Sequence, residues 1–404
     1  MSLLHYLVRN IWHRKFLSLL TMLSVAATVA FIVLLSLSRD SVEQGAEKGY
    51  GPFDLVVGAA GSETQLVLST FYHVGAPVGN IPLATLDTVR QDSGVDTAYA
   101  MTAGDNYNGY PIVGIDPAYF LTRYGDRMLA TGKLYAETGE VAVGDYVART
   151  LGLQVGDTFS GAHGLIEGAH HETEGAEAEH GEHDEHESFM YTVRGILPRL
   201  NTPDDRAVFT TVDYAWAVHG EAEAEREITS ILVKPRTLLG AQQLKNNLEE
   251  AGGVQVTYTS KAVADVVNLV DRGAEIVGIV TLLCVVLAAI SILLSLIAAA
   301  GERTKDVGLL RLLGKSKGYV WMTMIGEGLL ITAAGLVLGL LAGHVGSYLL
   351  KDALFAFGGI QIEPFRWSQE HTLIAAGTLL IGLAASLGPA LRLYRMDPLT
   401  LFKS

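Results

Sequence analysis

Six of the twelve histidines fall in one short stretch: His163, His170, His171, His180, His183 and His186. They are interleaved with acidic residues such as Glu172, Glu179, Glu182, Asp184 and Glu187. Imidazole and carboxylate are ligands that zinc, nickel and copper accept. The run contains no thiolate and no fixed tetrahedral spacing, so it reads as weak, multiple, exchangeable contact with a divalent metal rather than one structural zinc site. If the segment is helical when occupied, His180, His183 and His186, three apart, lie on neighbouring turns and can share an ion. The competing reading is an acidic low-complexity loop whose histidines are incidental. Either way the run builds no core, because nothing aliphatic and larger than alanine occurs between Ala169 and Ser188.

Other chemistry is sparse. Gly308 to Ser316 ends in Gly314-Lys315-Ser316, superficially a phosphate-binding loop, but five residues separate the two glycines where four are required, and no strand run precedes them. ATP hydrolysis must therefore come from a partner chain. No nucleophile and base, and no closed metal site, can be assembled, so an independent catalyst is not expected. His73, His219 and His344 stand alone and read as hydrogen-bonded structural residues. Cys284, the single cysteine, lies in an apolar run, which leaves no disulfide available and implies a buried, inert thiol.

The elements that position anything functional are set by hydropathy and charge. Residues 39–272 hold 35 acidic and 16 basic residues, a balance of −19; the remainder holds 8 and 13, a balance of +5. This asymmetry separates an acidic exterior domain from a basic cytoplasmic face, and it argues against nucleic acid as a partner. Between two apolar blocks, Gly301 to Tyr319 carries Arg303, Lys305, Arg311, Lys315 and Lys317. Such an excess of positive charge in a short loop marks the cytoplasmic side. Its Val307, Leu309, Leu310, Leu312 and Leu313 add apolar contacts that could dock on another protein.

Glu302-Arg303, Asp306-Val307-Gly308-Leu309-Leu310-Arg311 and Leu313-Gly314 resemble the coupling segment of the FtsX-like ABC permeases, the group that includes the MacB and LolC/LolE membrane subunits. Pro389-Ala390, Arg392 and Asp397-Pro398 extend the resemblance to the carboxyl terminus. It implies that Arg303, Asp306, Leu309, Leu310, Arg311 and Leu313 receive the motion of a separate cytoplasmic ATPase. Glu327 matches a glutamate common in this family, and its nearness to the basic loop makes an ion pair with Arg311 or Lys315 an equal reading.

Along the chain, residues 1–15 place Leu4, Leu7, Val8, Ile11 and Trp12 at helical spacing, as in an amphipathic helix on the membrane surface. Phe16 to Leu37 has 22 residues without a charge, enough to span, and it is taken within a retained first span at 16–38. An exterior domain is expected over 39–272, with further spans at 273–300, 321–350 and 372–391. These flank a coupling segment at 301–320 and an exterior loop at 351–371, and a cytoplasmic tail closes the chain at 392–404. The fold class is thus an α-helical membrane protein with four transmembrane helices plus a large extracytoplasmic α+β domain. By the resemblance, that domain is a porter-like subdomain with an inserted β-rich subdomain at 111–199 containing the histidine-rich loop at 163–187. Gly326, Gly335, Gly339, Gly343 and Gly346 give the third span small-xxx-small spacings that allow close helix approach.

The expected function is a permease subunit in a bacterial inner membrane, with both termini cytoplasmic and the large domain periplasmic. It would couple a partner's ATP hydrolysis to motion of the periplasmic domain, for export or extraction of a substrate linked to divalent metal such as zinc. The alternative is a non-transport transducer that controls a periplasmic enzyme or binding protein. No cofactor of its own is expected beyond Zn2+ at the histidines. Expected partners are the ATPase subunit, a second permease copy forming a homodimer, membrane lipid, and a periplasmic metal-binding or adaptor protein.

Overall fold

The computed structural model describes residues 3–126, 129–163, 189–219, 226–302, 311, 314–358 and 362–395. The chain divides into two units, one of residues 1–41, 270–352 and 362–404, the other of residues 42–269 and 353–361.

After the short helix α1 (Leu3–His13), four helices among the described residues are long and apolar enough to cross a membrane: α2 (Lys15–Tyr50), α9 (Thr259–Glu302), α10 (Lys317–Gly358) and α11 (Gln369–Arg395). A hydrocarbon core needs about 20 helical residues. With 36 and 44 residues, α2 and α9 are too long to be spans alone. Their charged continuations, Arg39 to Tyr50 and Thr259 to Arg272, belong to the same unbroken helices.

Within the first unit, Val25, Val29, Val33 and Leu37 of α2 pack with Ile292 and Leu296 of α9 and Leu336 of α10. The approach of α2 to α10 depends on glycine. A Cβ added at Gly335, Gly339 or Gly343 would stand 2.8, 2.6 and 2.8 Å from the Cβ of Val25, Val29 and Val33. Four-residue steps on both helices keep these pairs on one seam. Gly326 instead faces Leu7 of α1, and Gly346 faces open space. Cys284 is half-buried on α9 rather than buried, a correction that follows from its place on a largely exposed apolar helix. At the start of α11 the Ser368 backbone N–H and hydroxyl meet His371 Nδ1 at 3.2 and 2.7 Å, a histidine version of the capping box. His344 stacks on that histidine at 5.2 Å and bonds the Pro364 carbonyl through Nδ1 at 2.6 Å.

The second unit is a mixed α/β structure. Its main sheet has eleven strands among the described residues, in the order β13 (Gln255–Tyr258), β1 (Leu55–Gly58), β12 (Ser230–Pro235), β3 (Val95–Tyr107), β4 (Tyr110–Ile115), β10 (Val208–Thr210), β6 (Glu140–Val143), β9 (Met190–Ile196) and β5 (Thr131–Gly132). β7 (Thr158–Ser160) joins β9, and β8 (Ala162–His163) joins β3. β2 (Ile81–Pro82) and β11 (Glu227–Ile228) form a separate pair. Strands from the section expected as an insert therefore lie in the same sheet as β1 and β12.

Strand alternation sorts two cores. Val56 and Leu232 point to one face, while Leu55, Val57, Ile231 and Val233 point to the other. The second face is covered by α4 (Ala84–Gln91) and α8 (Leu238–Ala251) through Leu86, Val89, Leu244 and Leu248. The first is covered by α3 (Glu63–Phe71) and α5 (Ala118–Tyr124). A third cluster, including Val141, Val193 and Phe159, gathers around β6 and β9 beside α6 (Asp145–Leu151), with α7 (Tyr214–His219) contributing Tyr214.

Candidate functional site

The first face of the sheet does more than bury α3 and α5. Ala46 and Tyr50 from the end of α2, and Ala262, Val263 and Val267 from the start of α9, pack into the same cluster as Phe53, Leu66 and Phe71. Both long helices are thus rooted in the hydrophobic core of the α/β unit. Full burial of one valine contributes about 1.5–3 kcal/mol, so Val263, 8% exposed, is a firm point of attachment.

Polar contacts fix the same two ends. Helix α2 stops at Tyr50 because Gly51 takes a left-handed φ of 58°. Its last carbonyls have no helical partner. The Arg123 guanidinium on α5 supplies them, donating to the Gly49 carbonyl and, at 3.5 Å, to that of Lys48. A cation at this position also complements the helix dipole. One turn earlier, the Tyr72 hydroxyl donates to the Ala46 carbonyl. That ring lies so close that a Cβ at Gly49 would come within 2.1 Å of it. At the other junction, the Thr259 N–H donates to the Asp54 carbonyl at 2.9 Å, and Lys261 pairs with Glu63 at 3.0 Å.

Arg123 is held in turn by Asp204, which is fully buried in a 3-10 turn over Pro203–Arg206. The two charges are 3.5 Å apart. Asp204 also accepts from the hydroxyls of Tyr119 at 2.8 Å and Tyr124 at 2.7 Å, and from His73 Nε2 at 3.1 Å. Burial pushes its carboxyl up, but Arg123 and the bonds from His73 and Tyr124 outweigh burial and hold it at about 2. Burial alone would lower Arg123; Asp204 and the surrounding phenols raise it instead, so the pair is ionised at neutral pH. Tyr119 and Tyr124 are pushed well above the ordinary phenol value, chiefly by burial. Each of these side chains makes at least one bond within the cluster, although His73 Nδ1 and Arg123 Nε are buried with no hydrogen-bond partner.

Of the residues expected to dock an ATPase, Arg303, Asp306, Leu309, Leu310 and Leu313 lie outside the described residues. Arg311 is half-buried, and Glu327 is buried on α10 at 1% exposure. Lys315 places its ammonium 5.1 Å from the Tyr319 ring centroid. Among the metal candidates, the backbone of His163 pairs with Asp105 across β8 and β3, while His170, His171, His180, His183 and His186 lie outside the described residues. No group of three or more His, Cys, Asp or Glu side chains suited to a metal occurs among the described residues. His73, read as a structural histidine, bonds Asp204; its partner had no mark in the sequence.

Residues 18–251 match the family model of the MacB-like periplasmic core domain, and residues 278–398 match that of the FtsX-like permease C-terminal. Among solved structures, the extracellular domain of the noncanonic ABC-type transporter YknZ from Gram-positive bacteria aligns with 50% of this chain and 98% of its own. The identity is 11% and the TM-score 0.30. No curated protein matches the chain. The first family match alone covers more than half of the sequence, and the second takes in all of α10 and α11 and more than half of α9. The chain belongs to the FtsX-like permeases with a MacB-like periplasmic core domain: multi-pass membrane subunits of ABC transporters, with four spans, an extracytoplasmic domain between the first and second, and the ATPase in a partner.

Proposed function

We propose that this permease converts the ATP-driven motion of a separate cytoplasmic ATPase into rearrangement of its periplasmic domain, so that a periplasmic or membrane-derived substrate is exported or extracted. The observation that carries this reading is that α2 and α9 each run without a break from an apolar span into the core of the α/β unit. A continuous helix offers a path by which displacement at one end can reach the other. ATP can bias such an equilibrium only through contacts that differ between its states. Those contacts are assigned to Arg303, Asp306, Leu309, Leu310, Arg311 and Leu313, together with Glu327. The setting is a bacterial inner membrane, with both termini cytoplasmic and two permease copies facing each other.

The test is the ATPase activity of the partner in the presence of the permease. Arg311→Glu and Leu310→Asp should each abolish the stimulation while leaving membrane insertion intact, and normal stimulation by both would overturn the assignment. For the run at 163–187, the donor chemistry supports weak contact with divalent metal. Calorimetric titration of zinc into the full chain, with and without that run, should show binding only when it is present; equal binding by the two forms would remove it from the function.

A further inference from the structure

A cavity of about 190 Å3 opens in the α/β unit where α2, α3 and α9 meet. Val42 and Ala46 form one wall, Val67 and Leu68 the second, and Val263 and Val266 the third. The lining is almost wholly apolar, and the Tyr72 hydroxyl at its edge is already engaged with the Ala46 carbonyl. An apolar cavity of about 150 Å3 stays dry and takes up hydrocarbon, so this larger one is suited to the same kind of guest.

The lining also selects among guests. A peptide would bring backbone N–H and C=O groups that find too few partners here, and burying such a group unpaired costs free energy. A helix from a second copy, about 10 Å across with its side chains, does not fit the volume. A methylene chain brings no polar group to leave unpaired, and its last several carbons fit the volume. Supply is close at hand, because Val42 follows Arg39, at the end of the apolar run of α2, by about one turn of the same helix.

We propose that this cavity holds the terminal segment of one acyl chain of a phospholipid taken from the adjoining leaflet. Two of its three walls belong to the helices that carry motion in the function proposed above. Opening and closing of the cavity with ATP rests on that reading, whereas its occupancy at rest does not.

The experiment uses the full chain in vesicles of phosphatidylethanolamine and phosphatidylglycerol with a trace of phospholipid carrying a diazirine at the end of one acyl chain. After irradiation, label should appear on peptides covering 63–74 and 259–269 as well as on the spans. Ala46→Phe fills the cavity and should lower the label on those two peptides by about tenfold, the loss expected when two methylene groups leave an apolar site. Label on 278–298 should be unchanged. Val74→Phe, from the segment after α3, gives an independent filling variant should the first misfold.

Label confined to the spans, or equal in the filled and native chains, would overturn the proposal. Failure of the coupling reading shows separately, as normal ATPase stimulation by both Arg311→Glu and Leu310→Asp, and leaves the lipid assignment standing.

Discussion

Asp204 and Asp205 are adjacent in sequence and buried together, yet their surroundings drive them in opposite directions. Asp204, beside Arg123, is held at about 2. Burial pushes Asp205 up to about 6, against the backbone N–H bonds it accepts from Leu200 and Asn201. A carboxyl raised above its unfolded value stabilises the fold at pH below that value, near 3.8, and the contribution is lost as the pH rises through 6. A depressed one does the reverse, so Asp204 adds stability above pH 3.8 and loses it as the pH falls toward 2. The α/β unit should therefore gain up to about 3 kcal/mol between pH 7 and pH 4, then lose stability below it. Denaturant unfolding followed by Trp216 emission reads this, and Asp205→Asn should flatten the segment from pH 7 to pH 4; an unchanged slope would contradict the assignment. None of this was legible beforehand. Pro203-Asp204-Asp205-Arg206 reads as a polar connection, and Arg123 stands 81 residues earlier in an aromatic helix, so only folding brings the pair together.

At the scale of elements, the seam between α2 and α10 makes the sharpest demand. Gly339→Leu would drive a side chain into Val29, since even a Cβ falls 2.6 Å from that valine's Cβ. Overpacking of this kind costs about 1–3 kcal/mol. The variant should insert normally and unfold at lower temperature in detergent, whereas the same change at Gly346, which faces open space, should be nearly silent. Equal effects at the two positions would refute the seam. Small-residue spacing announced it in the sequence, but not which glycines take part. Short apolar runs in the sequence, Leu55-Val56-Val57, Val141-Ala142-Val143 and Ile231-Leu232-Val233, mark β1, β6 and β12. The central strand β3 escaped notice because Val95 to Tyr107 is rich in alanine and polar residues and poor in β-branched ones. Its hairpin to β4 did leave a signal, Asn108-Gly109, both at positive φ as a two-residue turn requires. The charged parts of α2 and α9 read as domain sequence because hydropathy stops at the last apolar residue, whereas helical hydrogen bonding does not.

For the whole molecule, charge and hydropathy carried the architecture. An acidic central section and a basic remainder are what two aqueous compartments of one permease look like in sequence, and the family matches agree with that layout. What remained hidden was how the membrane helices are attached. That depends on Arg123, Tyr72, Ala262 and Val263 meeting helix ends across long stretches of chain. The account rests on a chain gripped in the cytoplasm and acting outside. Single cysteines placed by Lys315→Cys and Asp145→Cys in a Cys284→Ser background, treated with a membrane-impermeant maleimide, test this most directly. Position 145 should react in intact spheroplasts and position 315 only after the membrane is broken. Reaction of both under the same condition would place the two ends in one compartment and contradict the mechanism.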